Sequence, residues 1–264
     1  MKKYLLGVAG IVLSTLALTI ISWTSPSNPS SPAKIITEDS LYYQHVRQVY
    51  NGAHLEKSGL SPEVFEKALT GFYNLKNSGK ISGEKSILTI ADLDQNSTKK
   101  RLWIIDLQKD SLLLNTWVAH GNRSGDDLAT HFSDVSDSNE SSLGFYITAE
   151  IYNGKHGRSL KLDGMDEGFN SNARKRSIVV HGAPYVSQGT INELGRLGRS
   201  QGCPAVPAEL ADLVINTIQG KTVIFINGSS QPYFSKYLDT HLAANSIMDK
   251  PDSLSQDSIM TARI

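Results

Sequence analysis

The chain has 264 residues, 39% hydrophobic and 20% charged, and its 26 basic and 26 acidic side chains cancel to a formal net charge of zero. This composition excludes intrinsic disorder of the whole chain, and the absence of net positive charge argues against a nucleic-acid partner. A single cysteine, Cys203, excludes an intramolecular disulfide and a zinc site of two or four cysteines.

The N-terminus has the pattern of an export signal. Lys2 and Lys3 precede an almost uncharged, apolar stretch at residues 4–23, which matches the basic and apolar regions of a signal peptide. The stretch is also about 20 residues long, enough to span a bilayer. We therefore expect an exported protein of the periplasm or cell envelope, with residues 1–23 as either a cleaved signal peptide or a membrane anchor.

The next two segments differ sharply in composition. Residues 24–35 place three prolines among serines, which is typical of a linker that buries little apolar surface. Residues 36–80 form a helical segment by our prediction, because Ser61 can cap a helix that has Pro62 at its first position. Apolar residues then recur at helical spacing, at Val64, Phe65, Ala68, Leu69, Phe72 and Leu75.

From residue 86 the pattern changes to short β-type runs separated by Gly, Asn, Asp and Ser. The runs are residues 87–90, 102–107, 112–118, 145–148, 160–162, 178–180 and 223–226. Few helix-length segments intervene, so we predict a mainly β (α+β) domain over residues 81–238 with antiparallel pairing. One late helix is predicted at residues 207–218, and residues 239–264 are interpreted as a mobile C-terminal tail.

The reactive residues concentrate between residues 177 and 207. His181 ends the strand at residues 178–180, and Gly182 beside it permits a close approach of backbone or substrate. Cys203 follows Gly202 in a glycine-rich loop before the predicted helix. A nearby imidazole or a helix N-terminus favours the thiolate that nucleophilic chemistry requires. The alternative is a buried, inert thiol beside a structural histidine.

Acyl transfer is the reaction that this pattern favours. Backbone amides of Gly202 and Cys203 are candidates for an oxyanion hole that stabilises a tetrahedral intermediate. His120, His156 and His181 each precede a glycine and are the candidates for a zinc site, but their spacing fits no zinc motif. We therefore predict no metal.

The motif at His181-Gly182 and Ser200-Gln201-Gly202-Cys203 resembles the HG…S-x-G-C signature of the murein L,D-transpeptidase (YkuD-like) catalytic domain family. Three further segments are similar to a divergent branch of that family. They are residues 117–121 (WVAHG), 141–146 (SSLGFY) and 154–157 (GKHG). The resemblance extends over residues 81–227.

The resemblance implies a β-sandwich or barrel catalytic domain whose Cys203 attacks a peptidoglycan stem tetrapeptide between its L and D centres. It implies that His181 is the base, that Ser200 and Gly202 shape the oxyanion site, and that no cofactor is needed. The partners are then a tetrapeptide donor and an amine acceptor. Two alternatives stay open, an L,D-carboxypeptidase that uses water as acceptor and a catalytically silent wall-binding module.

One departure from the signature concerns an arginine. The family motif continues Cys-Ile/Val-Arg, whereas Pro204 and Ala205 follow Cys203 here. Arg199 or Arg196 can replace the missing guanidinium and bind a substrate carboxylate, or both simply face solvent. Gln201 stands where some members have histidine, so the group that orients His181 is not identified from the sequence.

Overall fold

The computed structural model describes residues 38–248. The predicted signal or anchor at residues 1–23, the predicted linker at residues 24–35 and residues 249–264 of the predicted tail lie outside this range. Within residues 38–248, no helix combines the length and the apolar character that crossing a bilayer would take.

Two helices open the described chain, α1 (Glu38–Gly52) and α2 (Pro62–Asn77), with a 3-10 turn at Leu55–Ser58 between them. The predicted start of α2 is confirmed. Ser61 accepts a hydrogen bond from the Val64 amide at 3.3 Å, which satisfies one of the free donors of the first turn.

In the described part of the chain, eight strands form one mixed sheet with the order β3-β2-β1-β8-β4-β5-β6-β7. They are β1 (Ile87–Asp92), β2 (Leu102–Asp106), β3 (Ser111–Thr116), β4 (Gly144–Gly154), β5 (Gly157–Gly164), β6 (Val179–Ala183), β7 (Ala205–Pro207) and β8 (Val223–Asn227). Five of the seven neighbouring pairs are antiparallel, and only β1–β8 and β6–β7 are parallel. The predicted mainly β (α+β) fold is therefore confirmed.

Three further helices lie within residues 38–248. They are α3 (Gln188–Leu194), α4 (Ala211–Ile218) and α5 (Thr240–Met248). The sequence prediction missed α3 and strand β7, both of which are short. It also placed the start of α4 too early, because residues 205–207 pair as β7 and Ala208–Leu210 form a 3-10 turn before the helix.

The sheet separates two hydrophobic cores, because alternate side chains of a strand point to opposite faces. In β1, Leu88 and Ile90 pack into the core shared with α1 and α2, whereas Ile87 and Ala91 pack into the core beneath α4. Helix α2 lies very close to the sheet. A Cβ atom at Gly71 would lie 2.0 Å from the ring of Phe145, so only glycine fits that position.

The C-terminal interpretation is wrong for the part of the tail that is described. Helix α5 packs against α1 and α2, and its Ala243 and Ala244 are buried. The Asn74 side chain also donates to the carbonyl oxygens of Tyr237 and Asp239, each at 2.8 Å. Residues 240–245 thus belong to a packed element and not to a mobile extension.

The segment after β3 links the two edges of the sheet and curls it towards a barrel. The Ala119 amide donates to the carbonyl of Ala205 at 2.8 Å, and the Asn122 amide donates to the carbonyl of Ser200 at 2.8 Å. The Ser200 amide in turn donates to the carbonyl of His120 at 2.9 Å. These bonds fix the loop that carries Cys203 against the end of the sheet.

Candidate active site

His181 lies at the centre of β6 (Val179–Ala183) and not at the end of a strand, as the sequence predicted, because pairing with the parallel strand β7 extends β6 to Ala183. Its partner on β7 is Ala205. The side chain of His181 is 1% exposed, and burial is the main reason that the pKa of this imidazole lies below its ordinary value. The ring is therefore neutral at pH 7. A neutral imidazole can accept a proton, which is the first requirement of a general base.

The hydrogen bond of His181 defines which ring nitrogen is free. Its Nδ1 lies 3.0 Å from the carbonyl oxygen of Gly182. Because a carbonyl only accepts, Nδ1 carries the proton and Nε2 keeps its lone pair. The backbone of Gly182 is thus the group that orients His181, which the sequence did not identify.

The backbone at Gly182 is closely approached by a neighbouring element, as the sequence predicted. A Cβ atom at this position would lie 2.7 Å from the Cβ of Ala211 at the start of α4. The neighbour that requires glycine here is therefore a helix, and not a substrate.

Cys203 is half-buried, and its Sγ lies 3.7 Å from the carbonyl oxygen of Ser177, two residues before β6. Burial raises the pKa of the thiol above its ordinary value, although a hydrogen bond from the Val179 backbone and the charge of Arg176 oppose the shift. The sequence predicted that a helix N-terminus stabilises the thiolate. Strand β7 lies between Cys203 and α4, so this helix does not begin next to the thiol. At rest the two side chains are thus a thiol and a neutral imidazole. Within residues 38–248, the hydrogen bond of the thiol goes to the Ser177 carbonyl, and no hydrogen bond joins it to His181.

The loop before Cys203 is held by the side chain of Ser200. Its hydroxyl donates to the carbonyl of Cys203 at 2.6 Å and accepts from the amide of Gly202 at 3.0 Å. The Gly202 amide is therefore engaged, contrary to its predicted place as a free oxyanion donor. Within residues 38–248, the Cys203 amide makes no hydrogen bond to another residue, which leaves it as the donor available in this loop.

Cys203 and His181 both line one cavity of about 750 Å³. Its walls come from the β4–β5 turn, the strand β6 and the loops around residues 136–139 and 199–203. Four cationic side chains and one carboxylate face it, namely Lys155, Lys175, Arg176, Arg199 and Asp137. The cavity therefore favours an anionic ligand over a cationic one.

The two arginines proposed as replacements lie in different places. Arg199 lines the cavity and donates to the carbonyl of Gly125 at 2.8 Å and to the carboxylate of Asp126 at 2.7 Å. Arg196 donates to the carbonyl of Leu197 at 2.8 Å, and it is not among the residues that line the cavity. Of these two arginines, Arg199 is the one placed to meet a ligand in the cavity.

A third arginine at the site, Arg176, was not predicted from the sequence. Its side chain is 2% exposed and donates to the carbonyl of Ser133 at 2.6 Å and to that of Glu140 at 2.7 Å. The Glu140 carbonyl in turn lies against Gly202. Arg176 thus ties the 133–140 loop to the nucleophile loop. In the sequence, Arg176 follows Arg174 and Lys175, and three consecutive basic residues are typical of an exposed surface segment.

The other two histidines do not form a zinc site with His181. Within residues 38–248, no cluster of three or more histidine, cysteine or acidic side chains is arranged to hold a metal ion. His120 is buried, and its Nδ1 accepts from the Arg101 guanidinium at 2.7 Å. His156, at the β4–β5 turn, lies instead against the ring of His181.

Comparison with protein-family models gives a match over more than half of the chain. A family model described as an L,D-transpeptidase catalytic domain matches residues 56–227. Among solved structures, an L,D-transpeptidase from Mycobacterium smegmatis is 12% identical with a TM-score of 0.35, and the match covers 55% of this chain and 59% of that chain. A search of curated proteins gave no match.

Two further solved structures show similar values. The helical cell shape determining protein Pgp2 from Campylobacter jejuni is 14% identical with a TM-score of 0.40, covering 67% of this chain and 60% of that chain. An L,D-transpeptidase from Mycobacterium tuberculosis H37Rv is 11% identical with a TM-score of 0.33, covering 55% and 58%. The chain spans less than two thirds of the length of each of these proteins.

Proposed function

The chain belongs to the L,D-transpeptidase catalytic domain family, and on that basis we propose that it is a cysteine acyltransferase acting on peptidoglycan stem peptides. The observation that supports this activity most directly is the cavity shared by Cys203 and His181. The Gly182 carbonyl holds the Nδ1–H of His181, so that Nε2 is free to take a proton.

In the first half of the reaction, Nε2 of His181 takes the proton of the Cys203 thiol as Sγ attacks the carbonyl carbon of the donor tetrapeptide. The carbonyl oxygen becomes an oxyanion, to which the Cys203 amide can donate. The C–N bond then breaks, and the imidazolium passes its proton to the departing amine of the terminal D-alanine. A thioester on Cys203 remains.

In the second half, an amine of a neighbouring stem peptide attacks the thioester carbonyl. His181 accepts a proton from this amine, the new amide bond forms as the C–S bond breaks, and the thiolate recovers the proton from the imidazolium. With water as the attacking group, the same steps release a free carboxylate. The enzyme would then be an L,D-carboxypeptidase.

We also propose that the protein is exported to the periplasm or cell envelope. The support is the pair Lys2 and Lys3 before the apolar residues 4–23. An envelope location would place the cavity on the same side of the membrane as its proposed substrate. Cleavage and anchoring remain distinguishable by the mass of the mature protein in membrane and soluble fractions.

The test is incubation of the protein with defined tetrapeptide muropeptides and mass spectrometry of the products. A dimer with loss of D-alanine supports transfer, and a tripeptide supports hydrolysis. Cys203→Ala should abolish either product, and His181→Ala should slow it by on the order of 10² or more. Unchanged product formation by Cys203→Ala overturns the proposal.

A carbapenem-type β-lactam separates an enzyme from a silent wall-binding module. The enzyme should gain the mass of the opened β-lactam on Cys203 and lose turnover. A wall-binding module should bind peptidoglycan equally well before and after alkylation of Cys203, and it should form no product from the muropeptides.

A further inference from the structure

A second imidazole lies flat against that of His181. His156 occupies the turn between β4 and β5, and its ring centroid lies 4.2 Å from that of His181 with 22° between the ring planes. The two residues differ in exposure, because His156 is exposed whereas His181 is buried. His156 therefore covers one face of the proposed base from the side of the cavity.

We propose that His156 is a positioning residue that holds the imidazole of His181 in its working orientation by ring stacking. This inference rests on the proposed function of His181 as the base. The hydrogen bond to Gly182 restrains one edge of the His181 ring, but it leaves the ring free to tilt about that edge. A flat ring against its face restricts the tilt and keeps Nε2 directed into the cavity.

The stacked geometry separates this role from proton relay. The ring nitrogens direct their protons and lone pairs in the ring plane, so two nearly parallel rings cannot share a proton across their faces. His156 therefore acts through the position of His181. Burial and the charge of Lys155 both lower the pKa of His156, so the second ring is also predominantly neutral at pH 7.

A neutral partner matters because His181 becomes an imidazolium during the reaction. A charged His156 would repel that imidazolium across the stack. The charge of Lys155 acts on both rings. The other titratable or charged groups that line the same cavity are Asp137, Tyr152, Lys175, Arg176, Tyr185, Arg199 and Cys203. None of them is changed by a substitution at residue 156.

Three variants test the proposal. His156→Ala removes the ring, and His156→Phe keeps a flat ring that cannot ionise. His131→Ala is the matched control, because His131 is exposed and is not among the residues that line the cavity. We expect His156→Ala to lower kcat by about tenfold to a hundredfold through misplacement of Nε2, with a smaller change in KM. His156→Phe should recover most of the rate, and His131→Ala should match the unmodified protein.

A second readout does not depend on turnover. NMR titration of the imidazole Cε1–H signals follows the pKa of each histidine. With His156→Ala, the ring of His181 gains access to water, so its pKa should rise towards the ordinary value. With His156→Phe, it should stay below that value. If His156 had only a structural role, its removal would change the stability of the protein but not the pKa of His181.

The outcomes are distinct. If His156→Ala changes neither kcat nor the titration of His181, the positioning role is overturned. If His156→Phe is as impaired as His156→Ala in both readouts, stacking is overturned as the cause. Should the unmodified protein form no product, the proposed function fails, while the titration still decides whether His156 governs the environment of His181.

Discussion

The hydroxyl of Ser200 donates to the carbonyl oxygen of Cys203 at 2.6 Å and closes the turn that presents the thiol. The same hydroxyl accepts a hydrogen bond from the amide of Gly202 at 3.0 Å, so one side chain holds both Gly202 and the residue that carries the nucleophilic sulfur. The Ser200 backbone is itself bonded to His120 and Asn122. The position of the thiol therefore depends on a short turn that the Ser200 hydroxyl and backbone hold in place.

Ser200→Ala removes both side-chain bonds of this turn. We expect a loss of about 1–2 kcal/mol in the free energy of unfolding, together with a fall in kcat of tenfold or more from a misplaced thiol, on the order expected for small misplacements. Ser200→Thr keeps the hydroxyl and should retain most activity. Urea unfolding and the muropeptide assay measure the two effects. Equal kcat in Ser200→Ala and the unmodified protein would show that the turn does not need this hydroxyl.

The resting state of the thiol can be tested by alkylation with iodoacetamide between pH 5 and 10. Burial raises the pKa of Cys203 and lowers that of His181. The alkylation rate should therefore rise with pH towards a midpoint above the ordinary thiol value of about 8.5. A rate that is already at its plateau near pH 6 would contradict a neutral pair and indicate a thiolate–imidazolium pair. Cys203→Ala controls for labelling elsewhere.

His120 makes stability depend on pH. Burial and the neighbouring Arg101 lower its pKa from 6.5 to about 4. Below pH 6.5 the unfolded chain takes up a proton that the folded protein refuses until about pH 4, so acidification through this window favours unfolding. The full effect is on the order of 3 kcal/mol, from about 1.4 kcal/mol for each pKa unit.

His120→Gln should remove this pH dependence. The glutamine amide can accept from Arg101 and donate to the Gly125 carbonyl, as the imidazole does, but it does not titrate. We expect the variant to lose less stability than the unmodified protein between pH 7 and 4.5, measured by urea unfolding. His131→Gln, at an exposed position, serves as control. The prediction fails if both glutamine variants lose the same amount as the unmodified protein.

Gly202→Ala should impair both stability and activity. The backbone of Gly202 has φ of +113°, and a Cβ atom there would lie 2.7 Å from the Glu140 carbonyl. We expect a cost of about 1–3 kcal/mol and a displaced Cys203. Gly195→Ala is the control, because φ is +71° there but no atom lies within 4 Å of the added Cβ. If thermal unfolding shows the same loss of stability in both variants, the contact between the added Cβ and the Glu140 carbonyl costs no stability.

Arg199→Ala tests whether this arginine binds a substrate carboxylate in the cavity. Arg199 faces the cavity, and its partner Asp126 has an 83% exposed side chain, so a ligand anion can compete for the guanidinium. We expect a higher KM with little change in kcat. Arg196→Ala should have no kinetic effect, since that side chain does not line the cavity. Identical kinetics for both variants would show that Arg199 does not contribute to substrate binding.

Local patterns in the sequence were sufficient for much of the fold. Ser61 and Pro62 predicted the start of α2, and seven apolar runs predicted seven of the eight strands. These features depend on neighbours within a few residues, so a short window contains the information. The three-residue strand β7 was missed because its pairing with β6 depends on residues more than twenty positions away.

For the site, the sequence identified the reactive residue types. A histidine at a strand end and a cysteine in a glycine-rich loop pointed to acyl transfer, and the surrounding motif pointed to a family. The alternation of a strand tells which side chains share a face, but it does not tell which strand is adjacent. The parallel pairing of β6 with β7 is therefore a property of the tertiary structure alone.

The tertiary structure alone also decided the environments of the reactive groups. The Gly182 carbonyl orients His181, His156 stacks on it, and Arg176 lies buried beside the nucleophile loop. Burial and electrostatic potential depend on every atom within several ångströms, most of them distant in the chain. Residue types thus follow from the sequence, whereas protonation states and ring orientations follow only from packing.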